Sequence, residues 1–326
     1  MGRWSLGAFV VGGLLLVAAG PVQADHDGVV RFAVLPKPGP GFPEGIAADA
    51  AGNIFVGTFD FGTANVVHVF GLSGRLRETI PLPTGVVPLG LAVDGAGDLY
   101  VADFLNGNVL RLVPPSGTPA ATFNVCGGVG AGCGLNAIAF DAAGDLFVSD
   151  SFGGKIFKID LPGGSVSTFF EGDLLEPGSH GFPPFGANGL AFNAAGDLFI
   201  ANTADDRILK LDLPAKALTI FAESINGADG IAFDALGRLW VAANQGDEVV
   251  ALNISGRVIA RRGSFEGVGP DGAPRGLLFP ASIVLSRGSI FVTNLALTLT
   301  GADGDEPEED VTTFTVSRIP VGVSGR

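Results

Sequence analysis

One stretch of sequence recurs six times in this chain, and no other feature restricts the possible fold as strongly. Asn53 and Ser289 hold equivalent places in the first and last copies and lie 236 residues apart, so five steps give about 47 residues per repeat. A repeat of this length indicates an architecture of similar stacked units. The six copies are E-G-I-A-A-D-A-A-G-N-I-F-V-G from Glu44, L-G-L-A-V-D-G-A-G-D-L-Y-V-A from Leu89, N-A-I-A-F-D-A-A-G-D-L-F-V-S from Asn136, N-G-L-A-F-N-A-A-G-D-L-F-I-A from Asn188, D-G-I-A-F-D-A-L-G-R-L-W-V-A from Asp229 and A-S-I-V-L-S-R-G-S-I-F-V-T from Ala281.

Each repeat reads as four short strands. Two apolar strands flank a tight turn that contains Gly, which tolerates the positive φ of such turns. A third strand alternates, as in Val109-Leu110-Arg111-Leu112, and a weaker fourth follows. Four strands per repeat with almost no helical periodicity predict an all-β fold, a six-bladed β-propeller of four-stranded antiparallel blades.

Closure of the ring is expected to use the N-terminal part of the propeller. The sixth copy provides strands at 283–285, 290–294 and 311–319 and is one strand short. The alternating segment Val29–Leu35 precedes the first repeat and has no place within it. We expect this segment to form the outer strand of blade six, which removes the open edge of the ring.

The N-terminal segment is typical of a secretory signal. Arg3 supplies a positive charge, Leu6–Ala19 is an uncharged apolar run, and Val22-Gln23-Ala24 places small residues at the two positions read by signal peptidase. The alternative is a membrane anchor, but this run is shorter than the roughly 20 residues that a span needs. The sequence therefore predicts a signal peptide at 1–24, a single propeller domain at 25–326, and an exported protein, periplasmic or secreted, with no membrane span after cleavage.

Net charge and cysteine content limit the possible binding partners and the cellular compartment of the protein. The formal net charge of −14 repels phosphates and anionic lipids, which argues against nucleic acid and membrane surfaces as partners. Cys126 and Cys133 enclose the segment G-G-V-G-A-G, and we expect them to form a disulfide in an oxidising compartment. Free thiols, or half of a metal site, are the alternatives, although no further Cys and no nearby His completes a zinc set.

The position immediately before each first strand carries the candidate functional residues. The first strands line the channel of a propeller, so equivalent positions form a ring at one depth. In blade order this ring holds Glu44, Leu89, Asn136, Asn188, Asp229 and Ala281. Four members offer oxygens, two of them anionic, which is the ligand chemistry of calcium and, as second choices, of magnesium or manganese. The alternative is that Asn188-Gly189 and Asp229-Gly230 are ordinary turn pairs.

These residues resemble the senescence-marker-protein/gluconolactonase family, and in particular its members described as calcium-dependent phosphotriesterase-like. Glu44 before the first blade strand, Asn136 and Asn188 in the third and fourth blades, and Asp229 in a D-G pair of the fifth match that family's pattern. The resemblance implies a catalytic calcium or similar divalent ion in the channel and hydrolysis of lactones or organophosphate esters. Sugar-lactonase members place an Arg before the third-blade Asn, whereas Cys133-Gly134-Leu135 stands here, which favours smaller or more apolar esters.

Metal-assisted hydrolysis of a small ester or lactone is the expected chemistry. Asp229 is the candidate base towards water or, alternatively, the direct nucleophile. His180 lies in the long loop at 171–186, which could cover the channel, and is the candidate proton carrier; the alternative is an incidental loop histidine.

Two alternatives stay open at this point. The protein could be a non-catalytic propeller of the NHL type that binds a protein or glycan, because the text of the repeat alone is shared with such proteins. The acidic run at 301–310 is interpreted as a solvated loop or, less favoured, as a second, weaker calcium site.

Overall fold

The computed structural model describes residues 28–37, 41–60, 64–178, 183–322 and 325. The predicted signal peptide and His180 lie outside these ranges. Within them, no helix is long and apolar enough to cross a membrane. The helices of this described part are four short 3-10 segments, Val129–Ala131, Asp173–Leu175, Asn244–Gly246 and Pro307–Asp310.

Strands account for the regular structure of the described residues. In chain order they are β1 Val30–Val34, β2 Phe42–Ala48, β3 Ile54–Phe59, β4 Val66–Phe70, β5 Leu76–Pro81, β6 Pro88–Val93, β7 Leu99–Asp103, β8 Asn108–Leu112, β9 Pro119–Asn124, β10 Leu135–Phe140, β11 Leu146–Asp150, β12 Lys155–Asp160, β13 Ser165–Glu171, β14 Ala187–Phe192, β15 Leu198–Asn202, β16 Arg207–Asp212, β17 Ala217–Glu223, β18 Ala228–Phe233, β19 Leu239–Ala243, β20 Glu248–Leu252, β21 Val258–Arg262, β22 Phe265–Val268, β23 Pro274–Gly276, β24 Pro280–Ser286, β25 Ser289–Asn294 and β26 Thr315–Pro320.

Six of the sheets are four-stranded antiparallel blades, which confirms the predicted six-bladed propeller. Blades one to five are β2–β5, β6–β9, β10–β13, β14–β17 and β18–β21, each in sequence order. The sixth has the order β24-β25-β26-β1, and the pair β22-β23 forms a small hairpin between blades five and six. The first strand of each blade contacts the first strand of the next around the ring.

The N-terminal strand closes the ring as expected. β1 pairs with β26, with Val30 opposite Arg318 and Val34 opposite Thr315. One predicted boundary is wrong, because β26 begins at Thr315 and not at Val311. The backbone N–H groups of Thr312 and Thr313 donate instead to the carbonyl oxygen of Gly272 in the β22-β23 hairpin, which diverts this segment from the sheet.

The turn between the first and second strands explains the recurring D-x-x-G-D text. Oδ1 of Asp94 accepts the backbone N–H groups of Ala96 and Asp98, each at 2.9 Å, and Gly97 takes a φ of 91°. Asp141, Asn193 and Asp234 accept in the same way in the next three blades. In the shortened sixth copy, Arg287 and Gly288 have φ of 50° and 78°, as in a two-residue type I′ hairpin turn.

Glycine allows successive first strands to approach each other closely. A Cβ added to Gly45 would lie 2.2 Å from the carbonyl oxygen of Leu89, and one added to Gly189 would lie 2.1 Å from that of Asp229. Neither glycine has a positive φ, so what matters is the missing side chain and not backbone freedom. The larger side chains fill the layers between blades, as where Phe199 packs edge-on against Phe233 at 5.0 Å.

This contact can be tested by adding one methyl group. Gly189→Ala should destabilise the fold by about 1–3 kcal/mol, because the new methyl meets backbone that can yield only by separating blades four and five. Gly95→Ala is the matched control, since a Cβ there has nothing within 4 Å. Thermal unfolding measures both. Equal midpoints for the two variants would contradict the assigned packing.

Candidate metal centre

A β-bulge in every first strand places the ring residues. The pairing of first and second strands shifts register between Pro43 and Ile46 in blade one and between Ala187 and Leu190 in blade four. The other four blades shift at the same place. The prediction that the ring residues lie immediately before the first strands is wrong, because each of them lies inside its strand. A bulge interrupts the ladder and re-aims a side chain, so one residue per blade is turned towards the channel.

The four predicted ligand residues border one cavity of about 210 Å³. Glu44, Asn136, Asn188 and Asp229 are each 5% exposed or less. The interpretation of Asn188-Gly189 and Asp229-Gly230 as turns is wrong, because both pairs lie within strands β14 and β18. The structure therefore brings these side chains together, and their role as metal ligands stays a prediction.

Hydroxyl groups from neighbouring strands orient the two carboxamides. Nδ2 of Asn136 donates to Oγ of Ser151 at 3.1 Å, and Oγ of Ser151 donates to the carbonyl oxygen of Ala187 at 3.0 Å. Nδ2 of Asn188 likewise donates to Oγ1 of Thr203 at 2.9 Å, and that hydroxyl donates to the carbonyl oxygen of Ala228 at 2.7 Å.

These bonds determine which amide atom is free. A hydroxyl has a single proton, and in both cases it is donated to a carbonyl of the next blade, so the hydroxyl can only accept from the amide. The amide nitrogen must then face the hydroxyl, which leaves Oδ1 of Asn136 and of Asn188 for another partner.

The two carboxylates at this cavity are in an unfavourable electrostatic environment. Burial raises the pKa of Asp229 to about 7, although hydrogen bonds from Asn244 and Asn188 act in the opposite direction. Burial and then the charge of Asp229 raise the pKa of Glu44 well above its usual range, against a hydrogen bond from Ser282. Among the described residues, the buried Oε2 of Glu44 and Oδ1 of Asp229 have no hydrogen-bond partner. Buried charges of one sign are costly unless a counter-charge is present.

Asn244 is a further member of this site that the sequence reasoning missed. Its Nδ2 donates to Oδ2 of Asp229 at 3.2 Å, and its Oδ1 is buried without a hydrogen-bond partner. The available signal was the residue that follows Thr58 and its equivalents Asp103, Asp150, Asn202, Ala243 and Asn294 near the end of each second strand. That register is polar in blades three to five and apolar in the others: Ser151, Thr203 and Asn244 against Leu295, Phe59 and Phe104.

The residues present fit a divalent cation of the calcium type. Carboxylate and carboxamide oxygens are its preferred ligands, and the partnerless oxygens of Glu44 and Asp229 are the atoms that such an ion would satisfy. His180, the candidate proton carrier, lies outside the described residues, so the structure does not place it. Phe185 from the same loop borders the cavity.

The disulfide predicted between Cys126 and Cys133 is present, and it lies beside this site. The segment that follows it leads directly into β10, where Asn136 lies. The backbone N–H of Gly134 donates to Oδ1 of Asp150 at 3.0 Å. The covalent link thus restrains the approach of the chain to a predicted ligand.

In the acidic run, carboxylates cap the loop's own backbone. Glu306 accepts the N–H groups of Leu299 and Thr300 at 2.6 and 2.7 Å, and Asp305 accepts the hydroxyl of Thr300 at 2.9 Å. Leu297 and Leu299, at the start of this loop, border the cavity.

Comparison with solved structures finds several chains of similar fold. A calcium-binding protein, regucalcin, from Agrobacterium tumefaciens matches with a TM-score of 0.66 and 18% identity over 91% of this chain and 96% of that one. A gluconolactonase from Xanthomonas campestris matches with a TM-score of 0.64 and 14% identity over 92% and 91%. Virginiamycin B lyase from Staphylococcus aureus matches with a TM-score of 0.55 and 16% identity over 82% and 80%.

These similarities confirm the predicted resemblance at the level of the fold. No protein-family model matches the chain, and no curated protein matches it in sequence. At such identities the shared property is the propeller itself, and the argument for a function has to come from the residues of the cavity.

The electrostatics predict opposite effects of one substitution with and without metal. Glu44→Gln should raise the unfolding midpoint in chelator at neutral pH. Burial and Asp229 raise the pKa of Glu44 in the folded state, which costs stability above the ordinary pKa of a glutamate, and the substitution removes that cost. It should also reduce the stabilisation by calcium, which for the unaltered protein reaches about 2.7 kcal/mol at 100 times the dissociation constant.

Differential scanning calorimetry with and without calcium measures both effects. Asp303→Asn is the matched control, since Asp303 is an exposed carboxylate of the acidic run. A full calcium-induced shift in Glu44→Gln would remove Glu44 from the candidate centre.

Proposed function

We propose that the protein is a divalent-metal-dependent hydrolase of lactones or other esters, with calcium held at the channel mouth by Glu44, Asn136, Asn188 and Asp229. The observation that carries this proposal is the pair of buried carboxylates facing one cavity, each with an oxygen that lacks a partner. Two buried carboxylates without a bound cation would destabilise the folded state. The fold similarity to proteins described as regucalcin and gluconolactonase agrees with the proposal.

Each group has a defined part in this chemistry. A divalent cation bound there supplies polarisation of a carbonyl or phosphoryl oxygen and a lowered pKa for water. Asn136 and Asn188 contribute neutral oxygens, while Glu44 contributes a charge. Asn244 holds Oδ2 of Asp229 by a hydrogen bond at 3.2 Å, which leaves Oδ1 to face the cation.

Asp229 is the candidate catalytic residue. Its buried carboxylate borders the cavity, where it is placed to accept a proton from a water molecule. The alternative is that the carboxylate of Asp229 attacks directly as the nucleophile. His180, as a proton carrier, stays a prediction from the sequence.

A non-catalytic binding propeller is the competing function, and the cavity argues against it. A surface for a protein or glycan has no need of two carboxylates that are each 5% exposed. Three blades also contribute hydroxyl or amide groups that orient these ligands. Several oriented polar groups around one small buried cavity favour a small-molecule substrate.

The expected activity is hydrolysis that requires both metal and Asp229. With calcium, the protein should hydrolyse members of a panel of aryl esters, aliphatic lactones, sugar lactones and phosphotriesters, and chelator should abolish the activity. Asp229→Asn should lower kcat by about 10²–10⁴-fold, the range for loss of a general base.

The control for this measurement is Asp303→Asn, which should be unchanged. A folded protein that binds no metal and hydrolyses nothing on the panel would leave the binding propeller as the better account. Activity that survives chelator would argue against the metal, even with Asp229 essential.

We also propose that the protein is exported. The N-terminal pattern and the disulfide support this, because structural disulfides persist in oxidising compartments. The exported form should begin at Asp25, and its intact mass measures this. Ala24→Tyr should prevent processing, since signal peptidase needs a small residue at that position. Recovery of the unprocessed chain from the cytoplasm alone would contradict export.

A further inference from the structure

The cavity above the ring has two chemically different sides. Its polar groups are Glu44, Asn136, Asn188, Asp229 and Asn244, and four of these five come from blades three to five. The remaining described residues that border it are apolar, and no Lys or Arg is among them. The apolar side includes Phe59, Val87, Leu89, Phe104, Phe279 and Leu295.

Three phenyl rings form a cluster at this apolar side, which we call the aromatic triad: Phe104, Phe152 and Phe185. The ring centroids of Phe104 and Phe152 lie 5.6 Å apart, those of Phe152 and Phe185 lie 5.6 Å apart, and those of Phe104 and Phe185 lie 6.1 Å apart. The residues come from blade two, blade three and the loop before blade four. Phe104 and Phe185 border the cavity, and Phe152 packs against both of these rings.

The triad is held against the segment that carries a predicted ligand. A Cβ added to Gly134 would lie 2.7 Å from Cε2 of Phe104 and 2.9 Å from Cδ2 of Phe152. Both rings therefore rest on the Gly134 backbone, two residues before Asn136. This packing makes the triad a fixed part of the site, and a preformed apolar wall is what orients a ligand in a pocket.

Charge and hydrogen bonding restrict what this volume accepts. Two carboxylates and no basic side chain disfavour an anionic substrate. A hydroxyl group placed against the triad would lose its hydrogen bonds to water without replacement. For size, a dry apolar cavity of about 150 Å³ holds benzene, so about 210 Å³ accommodates one ring or a short alkyl chain beside the reacting group.

We propose that the substrate is an uncharged ester or lactone bearing one aryl or alkyl substituent, which the aromatic triad binds. This inference rests on the proposed hydrolase function and specifies its substrate class. The apolar substituent lies on the side of the triad, and the ester group lies on the side of Asn188 and Asp229. Sugar lactones, which carry several hydroxyl groups, are poor substrates of this site.

The test compares three γ-lactones with the calcium-loaded protein: unsubstituted, pentyl-substituted and polyhydroxylated. The pentyl lactone should exceed the polyhydroxylated one in kcat/KM by about 100-fold. Phe185→Ala should lower kcat/KM about tenfold more for the pentyl lactone than for the unsubstituted lactone. Phe221→Ala is the matched control, because Phe221 is a half-buried ring on β17 that pairs with Phe199 at 4.9 Å. Phe221→Ala should leave kcat/KM unchanged for both the pentyl and the unsubstituted lactone.

A second measurement separates this inference from the hydrolase proposal. Binding of 2-pentylcyclopentanone, which cannot be hydrolysed, is followed by calorimetry and should weaken about tenfold in Phe185→Ala. If the ketone binds in this way and no lactone is turned over, the hydrolase proposal fails and the apolar subsite stands. Equal kcat/KM for the polyhydroxylated and pentyl lactones, or ketone binding unaffected by Phe185→Ala, would overturn the inference while leaving hydrolysis intact.

Discussion

Close backbone contact between successive first strands is the constraint on which the rest of this structure depends. Gly45 and Gly189 lie against carbonyl oxygens of the neighbouring blade, where even a methyl group has no space. This approach sets the radius of the channel, because the first strands are its wall. The bulge at the same register then turns one side chain per blade inward. Convergence of the candidate ligands is therefore a consequence of how the blades pack.

The same packing joins stability to the chemistry of the site. Ser151 and Thr203 each donate to a carbonyl of the next blade and accept from a candidate ligand, so one hydroxyl both connects blades and orients an amide. The carboxylates have the opposite character, since burial and mutual repulsion raise the pKa of Glu44. The interior thus combines well-satisfied neutral groups with two charges that need a counter-ion, as is common where function is placed in a stable scaffold.

Much of this could be predicted, and the failures have identifiable causes. The turns could be predicted because Asp94 accepts backbone N–H groups and Gly97 takes a positive φ, and few other residue types do either. The ring residues were predicted to precede the first strands but lie within them. A β-bulge interrupts the alternation of apolar and polar residues, so the part of the strand before the bulge is not recognisable from the sequence. Asn244 was missed because the residues at its register in the other blades are mostly not ligands. The start of β26 was misplaced because the bonds that compete for Thr312 and Thr313 come from Gly272, distant in the chain.

The amino-acid sequence by itself determined the number of blades, the strand order within each, the strand that closes the ring and the register of the candidate ligands. These follow from local periodicity repeated six times, which needs no knowledge of distant contacts. Only the tertiary structure decided that Oε2 of Glu44 and Oδ1 of Asp229 lack partners and that Asn244 holds Asp229. It alone also gathered Phe104, Phe152 and Phe185 into one cluster. Burial and side-chain direction depend on groups from different blades, and the spacing of residues along one chain does not encode the space between them.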